Sequence, residues 1–258
     1  MDSSLSAEQI KKYERDGFVH PLRIMSADEA RKFRAGFEEF EALLGRKLEY
    51  AAMTHLFFRW AFDLSSQRKI LNAVQAILGS DVLVQATLIL CKHPADPSFV
   101  SWHQDYKYTS QETAPTVSAW VAISDSTRQS GCMRAIPGSH RDGIRPHKDT
   151  VIENNILTYS LEADESRAAD IELKAGEMSL HQANIVHGSL PNHSDDKRIG
   201  FIIRFVTPQF QKTINPVVRV RGRDACEHLT LWPNTPTDDM KQTIGAWQEF
   251  VRERNLLR

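Results

Sequence analysis

Arg198-Ile199-Gly200-Phe201-Ile202-Ile203-Arg204-Phe205-Val206 is the stretch on which the fold turns. Neighbouring side chains of an extended strand point to opposite faces. Strand parity therefore puts Arg198, Gly200, Ile202 and Arg204 on one face, and Ile199, Phe201, Ile203 and Phe205 on the other. So apolar a face packs outward against helices. The opposite face then looks into the polar interior of a barrel. A permanently charged guanidinium held there needs a carboxylate partner, which it can bind through two parallel hydrogen bonds.

The flanking sequence supplies both layers. Ahead of it lie further strand candidates: Val82–Val84, Thr87–Cys91, Val117–Ile123, Met133–Ile136, Asn155–Ser160, Ile171–Leu173 and Met178–His181, with Pro216–Val220 after it. They are short, separated by turn residues and free of interleaved helical periods, which disfavours parallel βαβ units and favours a sandwich, barrel or jelly roll. Helices come first in the chain. Ser6 with Gln9, and Ser26 with Glu29, have capping-box spacing. The second helix carries Ala30, Phe33, Phe37, Phe40 and Leu44 at helical spacing and stops at Gly45, and another runs from about Gln67 to Leu78. Phe57, Phe58 and Trp60 fall in a stretch that the pattern leaves unassigned. The expectation is one mainly β domain over 1–258, with a helical N-terminal part (1–80), a β core (about 81–220) and a C-terminal helix (about 237–254).

With 258 residues, 41% of them hydrophobic and 25% charged, the chain has the composition of a globular protein with a sizeable core. A formal net charge of −1 argues against nucleic-acid or membrane-surface partners. The three cysteines, Cys91, Cys132 and Cys226, are scattered and odd in number, which fits neither a disulfide framework nor a structural zinc site. No apolar run is long enough to span a bilayer, and the first residues lack a signal-peptide pattern. A soluble protein, cytoplasmic by default, is the expectation.

Chemistry enters with Trp102-His103-Gln104-Asp105, where extended backbone would turn His103 and Asp105 to one side. His-x-Asp alone is a weak motif. His187, in Val186-His187-Gly188-Ser189, adds the second imidazole. Two histidines and one carboxylate that leave coordination positions open form the facial triad of non-haem iron(II) oxygenases, although zinc hydrolases use a similar set. Arg198 separates the two readings. A dicarboxylate that chelates the metal at one end and meets an inward arginine at the other serves an oxygenase, and hydrolysis has no use for it.

Taken together, these segments resemble the phytanoyl-CoA dioxygenase-like family of iron(II)- and 2-oxoglutarate-dependent oxygenases. The similarity is carried by Leu5 to Gln9 with Asp16-Gly17-Phe18-Val19, by Ser101 to Asp105, by Ala119 to Thr127, by Gly131 to His140, and by His187-Gly188-Ser189 with Asn192 and Arg198. The resemblance implies a double-stranded β-helix, the jelly-roll or cupin-like core. It implies His103, Asp105 and His187 as iron ligands and Arg198 as anchor for the distal carboxylate of 2-oxoglutarate. Trp120, Ser189 and Leu88 would line that pocket. Fe(II), 2-oxoglutarate and O2 would serve a hydroxylation of an unactivated C–H bond, with release of succinate and CO2. Because Asp105 is a carboxylate, oxygenation is favoured over halogenation. Desaturation, epimerisation or ring modification on the same centre, and a non-catalytic cupin-like binding domain, are the alternatives. A natural-product intermediate, an amino acid or a related metabolite is the expected substrate.

Other residues compete for roles. His181, close before His187, is the rival third ligand, with core or supporting hydrogen bonding as the plainer reading. His140 is expected to brace a loop near the pocket. Tyr106, Tyr108 and Arg134 are the substrate-contact candidates, with Phe58 and Arg59 behind them; core packing is the simpler role for Phe58.

Overall fold

A computed structural model of the chain describes residues 4–105, 115–211, 213, 215–223 and 227–256. The larger of two main sheets runs β1 (Phe18–Arg23), β10 (Glu177–His181), β5 (Thr116–Ala122), β12 (Arg198–Val206), β3 (Val82–Lys92) and β13 (Val218–Arg221), with β2 (Tyr50–Ala52) also paired to β3. The smaller sheet runs β4 (Val100–His103), β11 (His187–Ser189), β6 (Met133–Ala135) and β9 (Ala169–Ile171). All of these pairings are antiparallel. Trp120, Ile202 and Ala122 from the larger sheet pack with Met133, Ala135 and Ile171 from the smaller one, so the two close on each other as a jelly roll.

The helices cover the outer face of the larger sheet. Both expected capping boxes form: Ser6 accepts from the Gln9 backbone and Ser26 from the Glu29 backbone, with the reciprocal side-chain bonds present. They open α1 (Ala7–Asp16) and α2 (Ala27–Leu44), and α2 ends on Gly45 with φ 65°, the left-handed position that glycine tolerates. Next come α3 (Arg59–Ser65) and α4 (Arg68–Leu78), and α5 (Met240–Glu253) closes the chain. Ile199, Phe201, Ile203 and Phe205 are buried among Phe37, Phe40, Phe58 and Trp247. Strand parity in β12 thus sorts its side chains as expected.

Several expectations change. The part before residue 80 is not wholly helical, because β1 pairs with β10 and β2 with β3. Val82–Val84 and Thr87–Cys91 are one continuous strand, and the shift opposite Arg204 and Phe205 absorbs the extra residue, Gln85. Of Asn155–Ser160, only Tyr159–Ser160 is strand. The Asn155 carboxamide instead accepts from the backbone N–H groups of Ser101 and Leu157, which turns that segment into a brace for β4. Phe57 and Phe58 lead into α3, which takes in Trp60, and Phe58 is fully buried. Among the described residues, no helix is long and apolar enough to cross a membrane.

Candidate metal and cosubstrate centre

Pairing between β4 and β11 places His187 directly opposite His103. Their rings lie 4.1 Å apart, centroid to centroid. Each Nδ1 faces a backbone carbonyl: His103 that of Ser101 at 2.9 Å, His187 that of Ile185 at 3.0 Å. A carbonyl only accepts, so each Nδ1 must carry the proton, and a neutral ring then has its Nε2 lone pair bare. Burial pushes His103 down to about 3, so His103 is neutral.

Strand β4 ends at His103. Gln104 turns the other way, and its carboxamide donates to the carbonyls of Gly143 and Asn184. Asp105 comes back to the histidine side, with its N–H bonded to the Ala183 carbonyl at 2.9 Å. One ligand atom from each of His103, Asp105 and His187 lies within 4.8 Å of the others. Burial works to raise the Asp105 carboxyl, but the Arg204 guanidinium, at 3.1 Å, leads the groups that outweigh it and hold it below the carboxylate range. The donor set is therefore two imidazoles that turn Nε2 away from their carbonyl partners and one carboxylate. That set suits a divalent first-row metal.

These residues open into a cavity of about 330 Å³. Arg198, Ser189, Trp120 and Leu88 line it. Arg198 is 1% exposed. Its guanidinium lies 5.5 Å over the Trp120 ring and its Nη2 is a long 3.5 Å from Ser189 Oγ. Its Nε has no hydrogen-bond partner among the described residues. Burial lowers it to about 10, still charged at neutral pH. A buried cation this poorly partnered fits an anionic ligand group. Gly200 admits the Trp120 ring: a Cβ there would come within 2.2 Å of it. Tyr50, Gln85, Asn215 and Arg204 line the cavity as well, with Met53, Ile156 and Leu157 as apolar wall.

Other expected residues fall elsewhere. Arg134 does not reach the cavity. Its neighbour Met133 does, and alternation turns Arg134 to the far side, where it pairs with Asp170 at 3.1 Å and Glu165 at 3.2 Å and lies over Trp102. Arg59 sits on α3 with Asp63 at 3.9 Å. His140 bonds to the Glu14 carbonyl, away from the cavity. Tyr106 and Tyr108 lie outside the described residues. His181 lines the cavity with its Nε2 3.9 Å from Asp105 Oδ2 and outside the metal-competent trio.

Three contributions escaped the sequence reading. His147 Nε2 accepts from the Gln104 N–H at 3.0 Å and so braces the His103–Asp105 turn. Ser118 Oγ donates to Asp105 Oδ2 at 3.3 Å. Lys92 is wholly buried and reaches Ser189. None carries a local signal, since each depends on pairing between distant segments.

Residues 13–200 match the family described as phytanoyl-CoA dioxygenase. Among curated relatives, a probable alpha-ketoglutarate-dependent hypophosphite dioxygenase of Stutzerimonas stutzeri is 24% identical over 80% of this chain and 73% of its own length. An ectoine dioxygenase of Nocardia farcinica is 26% identical over 77% of each chain. A solved structure described as the apo form of the non-heme monooxygenase ThoJ superposes with a TM-score of 0.77 at 27% identity, over 96% of this chain and 99% of that one.

Proposed function

The chain belongs to the phytanoyl-CoA dioxygenase family and is an iron- and 2-oxoglutarate-dependent oxygenase, and we propose that it hydroxylates an unactivated C–H bond of a small metabolite at the His103–Asp105–His187 centre. In this reading the two bare imidazole nitrogens and the Asp105 carboxylate hold iron(II). Arg198 and Ser189 receive the distal carboxylate of 2-oxoglutarate, with Trp120 and Leu88 as its apolar walls. Bound there, iron(II) with 2-oxoglutarate and O2 supplies the oxidising chemistry, whose balance is R–H + 2-oxoglutarate + O2 → R–OH + succinate + CO2.

The chain's own residues position and shield. Arg204 keeps Asp105 ionised, so the carboxylate binds metal instead of a proton. The carbonyls of Ser101 and Ile185 fix ring orientation, an outer layer of the kind that sets ligand geometry. Arg198 and Arg204 stand on the same face of β12 at its two ends, which separates the cosubstrate anchor from the rest of the chamber. The substrate then sits against Tyr50, Gln85 and Asn215, with Ile156 and Leu157 keeping water from the reacting bond.

A buried, poorly partnered arginine opening on the same cavity as the triad is the single observation that carries this reading. The test is succinate formation from 2-oxoglutarate with added iron(II), screened against pooled metabolite extracts, in wild type, His103→Ala, Asp105→Ala and Arg198→Ala. Substrate-stimulated succinate release in wild type and its loss in all three variants is the expected result. Asp105→Ala turning over like wild type would remove the triad assignment.

A further inference from the structure

Lys92 closes β3 with no exposed surface, an uncommon place for an ammonium group. Its Nζ donates to Ser189 Oγ at 2.8 Å and to the Leu190 carbonyl. Arg198 Nη2 approaches the same hydroxyl from the neighbouring strand at 3.5 Å. A serine hydroxyl has two acceptor lone pairs and one donor. With an N–H donor on each lone pair, the O–H bond leaves in the remaining direction, and Ser189 lines the cavity. We propose that Lys92 is a positioning residue for the cosubstrate: it fixes the Ser189 hydroxyl as a donor to the distal carboxylate of 2-oxoglutarate. This rests on the reading of Arg198 and Ser189 as the dicarboxylate end of the site.

The surroundings make the arrangement costly unless an anion arrives. Sheet register sets Lys92 opposite Arg198, so an ammonium there faces a like charge across one strand pair. The groups acting on Lys92 are Arg198 from β12, Asp96 from the turn after β3 and Cys132 from the loop before β6. Asp96 already accepts from the backbone N–H groups of His93 and Ser98. Burial, then Arg198, pulls the Lys92 ammonium from 10.5 down to about 6. An incoming carboxylate favours the ammonium form again and strengthens its hold on the Ser189 hydroxyl. Asn192 holds the pieces in register, its carboxamide donating to the carbonyls of Lys92, His93 and Asp196. A lysine serving only to tie β3 to β11 would need no guanidinium on the hydroxyl that it holds.

The experiment is anaerobic calorimetry of 2-oxoglutarate binding to the full chain loaded with Mn(II), a redox-inert stand-in for iron. Lys92→Met, of similar length and uncharged, is expected to weaken binding about tenfold or more, the usual size for a lost hydrogen bond to a charged group. Lys92→Gln, which keeps a donor without the charge, falls between. In a Ser189→Ala background the Lys92 substitution adds little, because it acts through that hydroxyl. Without cosubstrate, Lys92→Met melts at or above wild type. Binding within twofold of wild type in Lys92→Met, or an undiminished loss in the Ser189→Ala background, overturns the inference. If Lys92→Met does not fold, Lys92→Gln with and without Ser189→Ala decides on the same criteria. A wild type that takes up no 2-oxoglutarate overturns the site reading itself, and is told apart by its being wild type.

Discussion

Replacing Arg198 with methionine should move stability and cosubstrate affinity in opposite directions. Burial draws the Arg198 guanidinium from 12.5 to about 10. That shift corresponds to a folding penalty of about 3 kcal/mol on the charged form. Because the folded pKa is the lower one, the penalty is present in full below pH 10 and is relieved as pH rises from there towards 12.5. At pH 7.5 it is complete. Methionine removes it and keeps an apolar body over Trp120, so the cosubstrate-free variant should melt a few degrees above wild type. Affinity goes the other way. Taking one partner from a buried charge pair costs about 3–5 kcal/mol, or a loss of roughly 10²- to 10³-fold or more in 2-oxoglutarate binding. Thermal melts with and without 2-oxoglutarate and Mn(II), alongside calorimetry, read both quantities. A variant that melts lower than wild type yet binds 2-oxoglutarate as well would refute the argument, since Arg198 would then be a structural cation already satisfied within the protein.

Gly200→Ala should push the Trp120 ring, which a new Cβ would approach to 2.2 Å; overpacking of this kind costs about 1–3 kcal/mol, and a raised KM for 2-oxoglutarate with altered tryptophan fluorescence is expected. Arg134→Gln should leave turnover within twofold of wild type and lower the denaturation midpoint modestly, because Arg134 serves Asp170 and Glu165 and not the cavity. His55 is wholly buried against Thr87 and held by burial at about 3, below its ordinary 6.5. The unfolded chain therefore binds the extra proton first: this contribution is intact above pH 6.5 and is lost as pH falls, by about 2 kcal/mol at pH 5. Urea titrations at pH 7 and 5 should show a smaller drop in His55→Gln than in wild type.

Features set by local chemistry were legible before the structure. Ser6 and Ser26 cap their helices because a short side-chain acceptor and a glutamine or glutamate three residues on suffice. Alternation in β12 identified the inward arginines for the same local reason. What was hidden depends on partners far along the chain. Lys92, beside His93-Pro94, reads as the solvated end of a strand until β12 is paired to it. Arg134 sits between apolar residues in a way that suggested an inward face, and only the β6–β9 register shows Asp170 opposite. Phe18 to Arg23 contains a proline and follows a helix, yet it forms a strand because β10 has a free side to receive it. The smaller-sheet strands β4 and β11 are four and three residues long, too short for periodicity to register.

Strand β12 also bears on how the protein can fail. Its side chains alternate between two incompatible solvents: arginines for the chamber, and Ile199, Phe201, Ile203 and Phe205 for the helical layer. Moving its pairing with β3 and β5 by one residue would drive both guanidinium groups into hydrocarbon and line the chamber with aromatic rings. Such a misregistered state has no low-energy form, so the ladder that completes the core also completes the anion site. A half-formed core would be unable to bind the cosubstrate, and a tightly bound cosubstrate would act as a clamp on the central strand of the whole molecule.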